Sequence, residues 1–127
     1  MPEQHLYEYA ILRVVPRVER EEFINVGVIL YCGRLKFLQA KFDLNPAKLQ
    51  ALAPEADVAL ITQYLEALVN IVNGNPGSGS IGCLPRAERF RWLTATRSTI
   101  IQSSKVHPGL CCAPAEKLEM IFREMVG

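Results

Sequence analysis

The sequence has few charged residues, no long hydrophobic run and no excess of one sign of charge, and each absence excludes a class of protein. Charged side chains make up 21% of the 127 residues, and the formal net charge is +1. The net charge therefore gives no indication of a nucleic-acid partner, although it leaves one open. No apolar run approaches the roughly 20 residues of a membrane-spanning helix, so we expect no membrane contact. The first residues lack the basic and apolar regions of a signal peptide, and we expect a cytoplasmic protein.

Paired cysteines are also missing. The four cysteines are Cys32, Cys83, Cys111 and Cys112, and none belongs to a C-x-x-C motif. Adjacent cysteines rarely form a structural bridge, so we expect reduced thiols. A zinc site could be drawn from His107, Cys111 and Cys112, but a second ligand pair at the usual spacing is absent. The sequence therefore predicts no metal ligand and no cofactor.

Half of the residues are hydrophobic, which is enough for one core in a chain of this length. Three apolar segments, 7–15, 25–32 and 35–42, have the pattern of strands, and the last two form a predicted hairpin. Pro16 ends the first strand because proline cannot donate a hydrogen bond to a sheet.

Gly27 interrupts the second strand. Simple alternation places Val26, Val28 and Leu30 on one face and Gly27 on the other. A glycine inside a strand usually marks a bulge or a close approach of another backbone, so we predict one of these at Gly27.

Helical periodicity begins after the third strand. Asn45, followed by a proline, predicts the start of a short helix at 46–53, and Asp57 is the predicted cap of a helix at 58–73. Glu66 is the single charged residue of the second helix. We therefore expect this helix to be enclosed, either by its own domain or by a partner subunit.

The remaining segments complete the predicted fold. Residues 74–82 are rich in glycine and serine and predict a flexible loop. Residues 98–106 form a predicted fourth strand that ends at a turn containing His107. An amphipathic helix covers 115–126. We predict a single α+β domain over 1–127 with two layers, in which an antiparallel sheet of about four strands carries helices mainly on one face.

A charged connection, residues 17–25, separates the first two strands. Paired carboxylates beside arginines can hold a divalent ion or carry out acid–base chemistry. A run of mixed charges is more often a solvated loop whose charges neutralise one another. Arg17 and Asn25 flank the connection at strand ends, where side chains are well positioned to bind a ligand.

Arginines and aromatic residues gather in residues 86–97, the arginine cluster. Guanidinium groups bind phosphate or carboxylate through paired hydrogen bonds, and Trp92 could stack on a base. Alternatively, Trp92 packs inward and the arginines pair with the charged connection. Arg97 stands beside two hydroxyl residues at a strand entrance. The predicted anion site consists of Arg97, Ser98 and Thr99, with Arg17 and Asn25.

Three stretches carry a family resemblance: YEYAILRVVPRVEREEFINVGVILY, FRWLTATRSTIIQSSKVHPGL and LEMIFREMV. Together they resemble the bacterial family known as domain of unknown function 3037, and the similarity extends over residues 7–126. The resemblance implies a small cytoplasmic α+β protein of uncharacterised activity. It also implies a partnership with HipA-like kinases, whose genes are often neighbours of the family's genes. It supplies no catalytic residue.

Two classes of function fit these observations. The first is a non-enzymatic binding or accessory module that acts through a protein partner, a second copy of itself or an anionic ligand. The alternative is a small nucleic-acid- or nucleotide-processing enzyme that uses the charged connection 17–25 together with the arginine cluster 86–97. No paired nucleophile and base and no metal-ligand spacing is evident, which favours the first class. A single cleft holding both the charged connection and Arg97 would favour the second.

Overall fold

The strands and helices lie close to their predicted positions, with one additional strand near the C-terminus. The computed structural model describes residues 3–95, 97 and 99–126. Within those residues the strands are β1 (His5–Val14), β2 (Ile24–Cys32), β3 (Phe37–Phe42), β4 (Ile101–Ser103) and β5 (His107–Cys111). The helices are α1 (Pro46–Leu52), α2 (Val58–Asn73), α3 (Gly79–Gly82), α4 (Arg86–Leu93) and α5 (Pro114–Met125), and a 3-10 turn covers Val18–Arg20.

The predicted helix caps are present. The Asn45 side chain accepts hydrogen bonds from the backbone amides of Ala47 and Lys48 at 3.0 and 3.2 Å, which satisfies two free amides at the start of α1. Asp57 accepts from the amide of Leu60 at 3.0 Å and caps α2. Gly74 ends α2 in the left-handed conformation, with φ 64°, where a side chain would be strained.

All the strands join one antiparallel sheet, in which β1 is central. The strand order is β3-β2-β1-β4. Both β4 and β5 pair with the same edge of β1: β4 pairs with residues 12–14 and β5 with residues 5–9. Each neighbouring pair is antiparallel, and short connections join β1 to β2 and β2 to β3. The predicted α+β domain with an antiparallel sheet is therefore confirmed.

A β-bulge lies at the position predicted from Gly27. Leu12 faces Gly27 and Arg13 faces Asn25, so Val26 is the extra residue of β2. A Cβ atom on Gly27 would lie 2.5 Å from the carbonyl oxygen of Lys41, and only glycine fits this approach of β2 to β3.

The bulge reverses the alternation of β2. Val26 packs in one core cluster together with Ile29, whereas Val28 and Leu30 pack in the other. The expectation that Val26, Val28 and Leu30 share a face was wrong, because a single extra residue moves every later side chain to the opposite face.

The sheet separates two cores. The upper core lies under α1, α2 and α4, and the lower core lies under α5. Helices are mainly on one face, as predicted, but α5 adds a third layer that the two-layer prediction lacked, because both faces of β1 and β2 are apolar and need cover. The buried residues of the upper core are Ala10, Leu12, Val14, Val26, Ile29, Leu38, Leu49, Ile61, Leu65, Val72, Phe90 and Leu93. Those of the lower core are Tyr7, Ile11, Val28, Leu30, Cys32, Cys111, Leu118, Ile121 and Phe122.

Within the described part of the predicted fourth strand, 98–106, strand β4 covers only Ile101–Ser103, and a second irregularity separates it from the unpredicted β5. Ser104 is buried between them, and its amide donates to the carbonyl of Ile11 at 2.8 Å while its hydroxyl accepts from the amide of Ile11 at 2.8 Å. The predicted turn at His107 is wrong, because His107 begins β5 opposite Tyr9. Pro108 is tolerated in this strand because β5 lies at the edge of the sheet.

The outer side of α2 departs from the expected enclosure. Ile61, Leu65 and Val72 are buried, but Tyr64 remains 45% exposed. The isolated chain therefore leaves part of this apolar helix uncovered. The predicted flexible loop at 74–82 contains the single-turn helix α3, and its flexibility stays a prediction.

No helix in the described ranges is both long and apolar enough to span a bilayer.

Candidate binding groove

An apolar groove of about 520 Å³ lies between α2, the end of α4 and the chain entering β4; we call it the α2–α4 groove. It lies where α4 ends at Leu93, beside the face of α2 that carries Tyr64, Leu68 and Ile71. Aromatic side chains stand at its rim, where Tyr64 is 45% and Trp92 39% exposed. The lining residues are Leu12, Tyr64, Ala67, Leu68, Ile71, Trp92, Leu93, Arg97, Thr99, Ile100, Ile101 and Gln102.

Arg97 is the one cationic residue that lines the groove within the described part of the chain. Its guanidinium carbon lies 3.8 Å from the centre of the Trp92 ring, and one terminal nitrogen donates to the carbonyl oxygen of Trp92. Both contacts place the guanidinium against the Trp92 ring. A guanidinium has five N–H donors, and among the described residues Arg97 makes no other hydrogen bond, so donors remain for a ligand.

The segment after Arg97 closes one side of the groove with its own hydrogen bonds. The Thr99 hydroxyl donates to the carbonyl of Ile101 at 2.7 Å, and the Gln102 side-chain amide donates to the carbonyl of Thr99 at 2.9 Å. The Thr99 hydroxyl proton is therefore used within the chain, while its oxygen can still accept.

The groove contains only part of the predicted anion site. Arg97 and Thr99 both line it, and Ser98 lies outside the described residues. Arg17 lines a different cavity of about 340 Å³, beside residues 51–55. Asn25 lines a third cavity of about 170 Å³, where its side-chain amide donates to the carbonyl of Met125 at 3.3 Å.

The charged connection forms ion pairs within itself. Arg17 lies 3.0 Å from Glu19, and Arg20 lies 2.5 Å from Glu22, with all four side chains about half exposed or more. Hydrogen bonding to its own backbone amide and to Arg17 lowers the pKa of Glu19. This arrangement agrees with the solvated-loop interpretation. In the part of the chain that the structure covers, no three His, Cys, Asp or Glu residues are grouped to hold a metal ion.

In the arginine cluster, one arginine forms hydrogen bonds inside the fold and two others are exposed on the surface. Arg89 donates to the carbonyls of Leu84 and Val72 at 2.5 and 3.3 Å and thereby satisfies the C-terminal end of α2. Arg86 and Arg91 are exposed on α4. The charged connection and Arg97 line separate cavities, so the described residues do not bring the two sets into one cleft.

Sequence reasoning found Arg97 and Trp92 but missed the α2 side of the groove. Tyr64, Leu68 and Ile71 form that wall. The available signal was the width of the apolar surface of α2, which exceeds the single stripe that one packed face requires.

The fold defines a single-domain α+β protein with one antiparallel sheet and a surface groove. A family model described as "Protein of unknown function (DUF3037)" matches residues 9–126, so the chain belongs to this family. Searches of the curated proteins and of the solved structures find no match.

Proposed function

We propose that this chain is a cytoplasmic, non-enzymatic binding module whose α2–α4 groove holds an acidic segment of a partner protein. The segment would place an apolar side chain between Tyr64 and Trp92 and a carboxylate against Arg97. The observation that carries the proposal is the combination, in one groove, of exposed aromatic walls with a single oriented guanidinium.

The apolar walls support a protein segment over a free inorganic anion. Tyr and Trp are the residues that most often dominate protein interfaces, because they bury a large rigid surface at a small entropic cost. A phosphate or sulfate ion would gain nothing from the walls contributed by Leu68 and Ile71. A side chain of the partner would cover them.

Arg97 supports an acidic partner. The guanidinium of Arg97 is half-buried and lies over the Trp92 ring, so a carboxylate would meet it with reduced solvent screening. Glu66 and Glu88 are the acidic residues of α2 and α4, and neither lines the groove. An anionic group therefore meets no opposing carboxylate among the lining residues.

The separation of the charged connection from Arg97 favours this function over the nucleotide-processing alternative, which needs the two sets together. HipA-like kinases, which the family resemblance implies as partners, are the first proteins to test.

Affinity capture with a matched pair of variants tests the proposal. Tyr64→Ala removes a groove wall, whereas Gln63→Ala truncates the neighbouring exposed residue, which does not line the groove. Neither change adds a charge that would attract or repel an acidic partner. We expect the wild type and Gln63→Ala to retain one partner from a lysate of the source cells. Tyr64→Ala should retain it at least about tenfold less well, since loss of an aromatic hot spot costs about 2 kcal/mol or more.

Quantitative mass spectrometry gives the result for all three baits, and circular dichroism verifies that each is folded. If Tyr64→Ala and Gln63→Ala capture the same proteins in the same amounts, the groove is not the binding surface.

A further inference from the structure

The outer edge of β5 is open. Among the described strands, β5 pairs with β1 alone. Leu110 is 58% exposed, and its cross-strand neighbour Leu6 is 61% exposed. An exposed strand edge beside an apolar pair is a template for another strand.

Pro108 fixes which backbone groups of β5 point outward. Pro108 faces Glu8 in the register with β1, and proline has no N–H, so this pair cannot exchange two hydrogen bonds. The hydrogen-bonded pairs with β1 must therefore involve the alternate residues, such as Gly109 with Tyr7. The hydrogen bonds between Ile11 and Ser104 follow the same alternation along β1. It follows that the N–H and C=O groups of Leu110 point away from the sheet.

We propose that a second copy of this chain pairs with this edge, with β5 antiparallel to β5 about a two-fold axis at Leu110. Within β5 itself, only Leu110 has both outward backbone groups free to bond, because the other outward residue, Pro108, has no donor. Leu110 against Leu110 of the second copy therefore forms a complete hydrogen-bonded pair. A register shifted to place Leu110 against Pro108 would lose a bond on each side of the axis.

The same register joins the exposed leucines. Directly opposed residues of an antiparallel pair lie on the same face, with Cβ atoms about 4.5–5.5 Å apart. The four side chains would form one row across the two sheets: Leu6 and Leu110 of one copy, then Leu110 and Leu6 of the second copy. Four leucines that are more than half exposed in the single chain would then cover one another across a ten-stranded sheet.

The proposed two-fold axis would bring opposite charges at the two ends of β5 close together. Lys105 precedes β5 and Glu116 follows it on the first turn of α5, and neither forms an ion pair with any residue that the structure describes. Antiparallel pairing brings the beginning of one strand to the end of the other, so Lys105 of each copy would approach Glu116 of the second. β5 itself contains no Asp, Glu, Lys or Arg, and the two edges do not repel each other.

A single short strand buries little surface, so the dimer is weak and depends on concentration. A disulfide trap is therefore the sharpest test. Paired Cα atoms at a hydrogen-bonded site lie about 5.5 Å apart, within the range that a disulfide spans. The variant Leu110→Cys, in a background with Cys83→Ser and Cys112→Ser, places one thiol of each copy at the proposed axis.

The matched control is Gln39→Cys in the same background, because Gln39 is exposed on β3 at the opposite edge of the sheet. Under mild oxidation Leu110→Cys should form the covalent dimer at least about tenfold faster than Gln39→Cys, since pairing raises the effective concentration of the two thiols. Equal rates would overturn the proposal.

Sedimentation of the unlinked protein gives a second readout. The wild type should show a reversible dimer that grows with concentration, and Leu110→Lys should remain a monomer, because a lysine pair at the axis would repel. Circular dichroism verifies the fold of the variant, whose altered side chain is largely exposed. A wild type that sediments as a monomer up to about 1 mM, the weak end of the affinity scale, would also overturn the inference.

Discussion

Cys111 and Cys112 are neighbours in the chain but lie in opposite environments. Cys111 ends β5 in the lower core, where burial, and then the proximity of Cys32, raise the pKa of its thiol. Cys112 is exposed. A raised pKa leaves less of the reactive thiolate at neutral pH, and burial excludes the reagent. Position in the sheet therefore decides the reactivity of each cysteine.

The thiol environments lead to a direct prediction. A thiol-specific reagent should modify Cys83 and Cys112 rapidly in the native protein, while Cys32 and Cys111 react only after unfolding. Mass spectrometry of peptides after timed labelling measures each site, and a denatured sample is the control for the intrinsic rates. Fast labelling of Cys111 in the folded protein would contradict its place in the lower core.

At the scale of elements, α2 has a buried side and an uncovered side. Leu65 is fully buried in the upper core, whereas Leu60 on the same helix is 39% exposed. Leu65→Ala should lower the free energy of unfolding by about 2–5 kcal/mol, because it removes buried methyl groups and leaves a cavity.

Leu60→Ala is the matched control for Leu65→Ala, since both truncate the same side chain on the same helix. The control should cost less than about half as much, because a partly exposed leucine has less apolar contact to lose. Urea denaturation measures both variants. Equal losses would mean that the outer side of α2 is covered in solution, as it would be by a partner subunit.

The elements that local chemistry specifies were predictable from the sequence. The caps at Asn45 and Asp57 and the bulge at Gly27 follow from residue type and spacing alone. β5 was missed because Pro108 signals a turn, and only the edge position in the sheet makes a proline acceptable there. The third layer was missed although both faces of β1 and β2 are apolar, because an apolar face does not by itself indicate which helix covers it.

The candidate site was predictable only in part for a related reason. Arg97 and Trp92 are close in sequence, so their association could be anticipated. The wall formed by Tyr64 and Ile71 depends on where α4 ends relative to α2, which is a property of tertiary packing. Arg17 and Asn25 mark strand ends but lie at other cavities. Sequence position therefore identified the guanidinium and not its surroundings.

At the scale of the whole molecule, the upper core extends from β1 to α2 and α4 and reaches the surface in the α2–α4 groove. Leu12 is buried in this core and also lines the groove. A ligand there would contact the core directly, which supports the groove as the binding surface of the module.

Trp92 offers the most direct measurement of that claim, because it is the single tryptophan of the chain and stands at the groove rim. N-acetylphenylalanine carries an aromatic side chain and a carboxylate, and N-acetylphenylalaninamide carries the same side chain without the charge. The acid should change the Trp92 fluorescence with a dissociation constant of about 1 mM. The amide should bind about tenfold more weakly, since a charge-assisted hydrogen bond contributes about 1.5–3 kcal/mol.

Arg97→Ala should remove the difference between the two compounds, and Arg91→Ala, which changes an exposed arginine outside the groove, should preserve it. No saturable change in fluorescence, or equal affinity of the wild type for the acid and the amide, would contradict a groove that binds an apolar group and a carboxylate together.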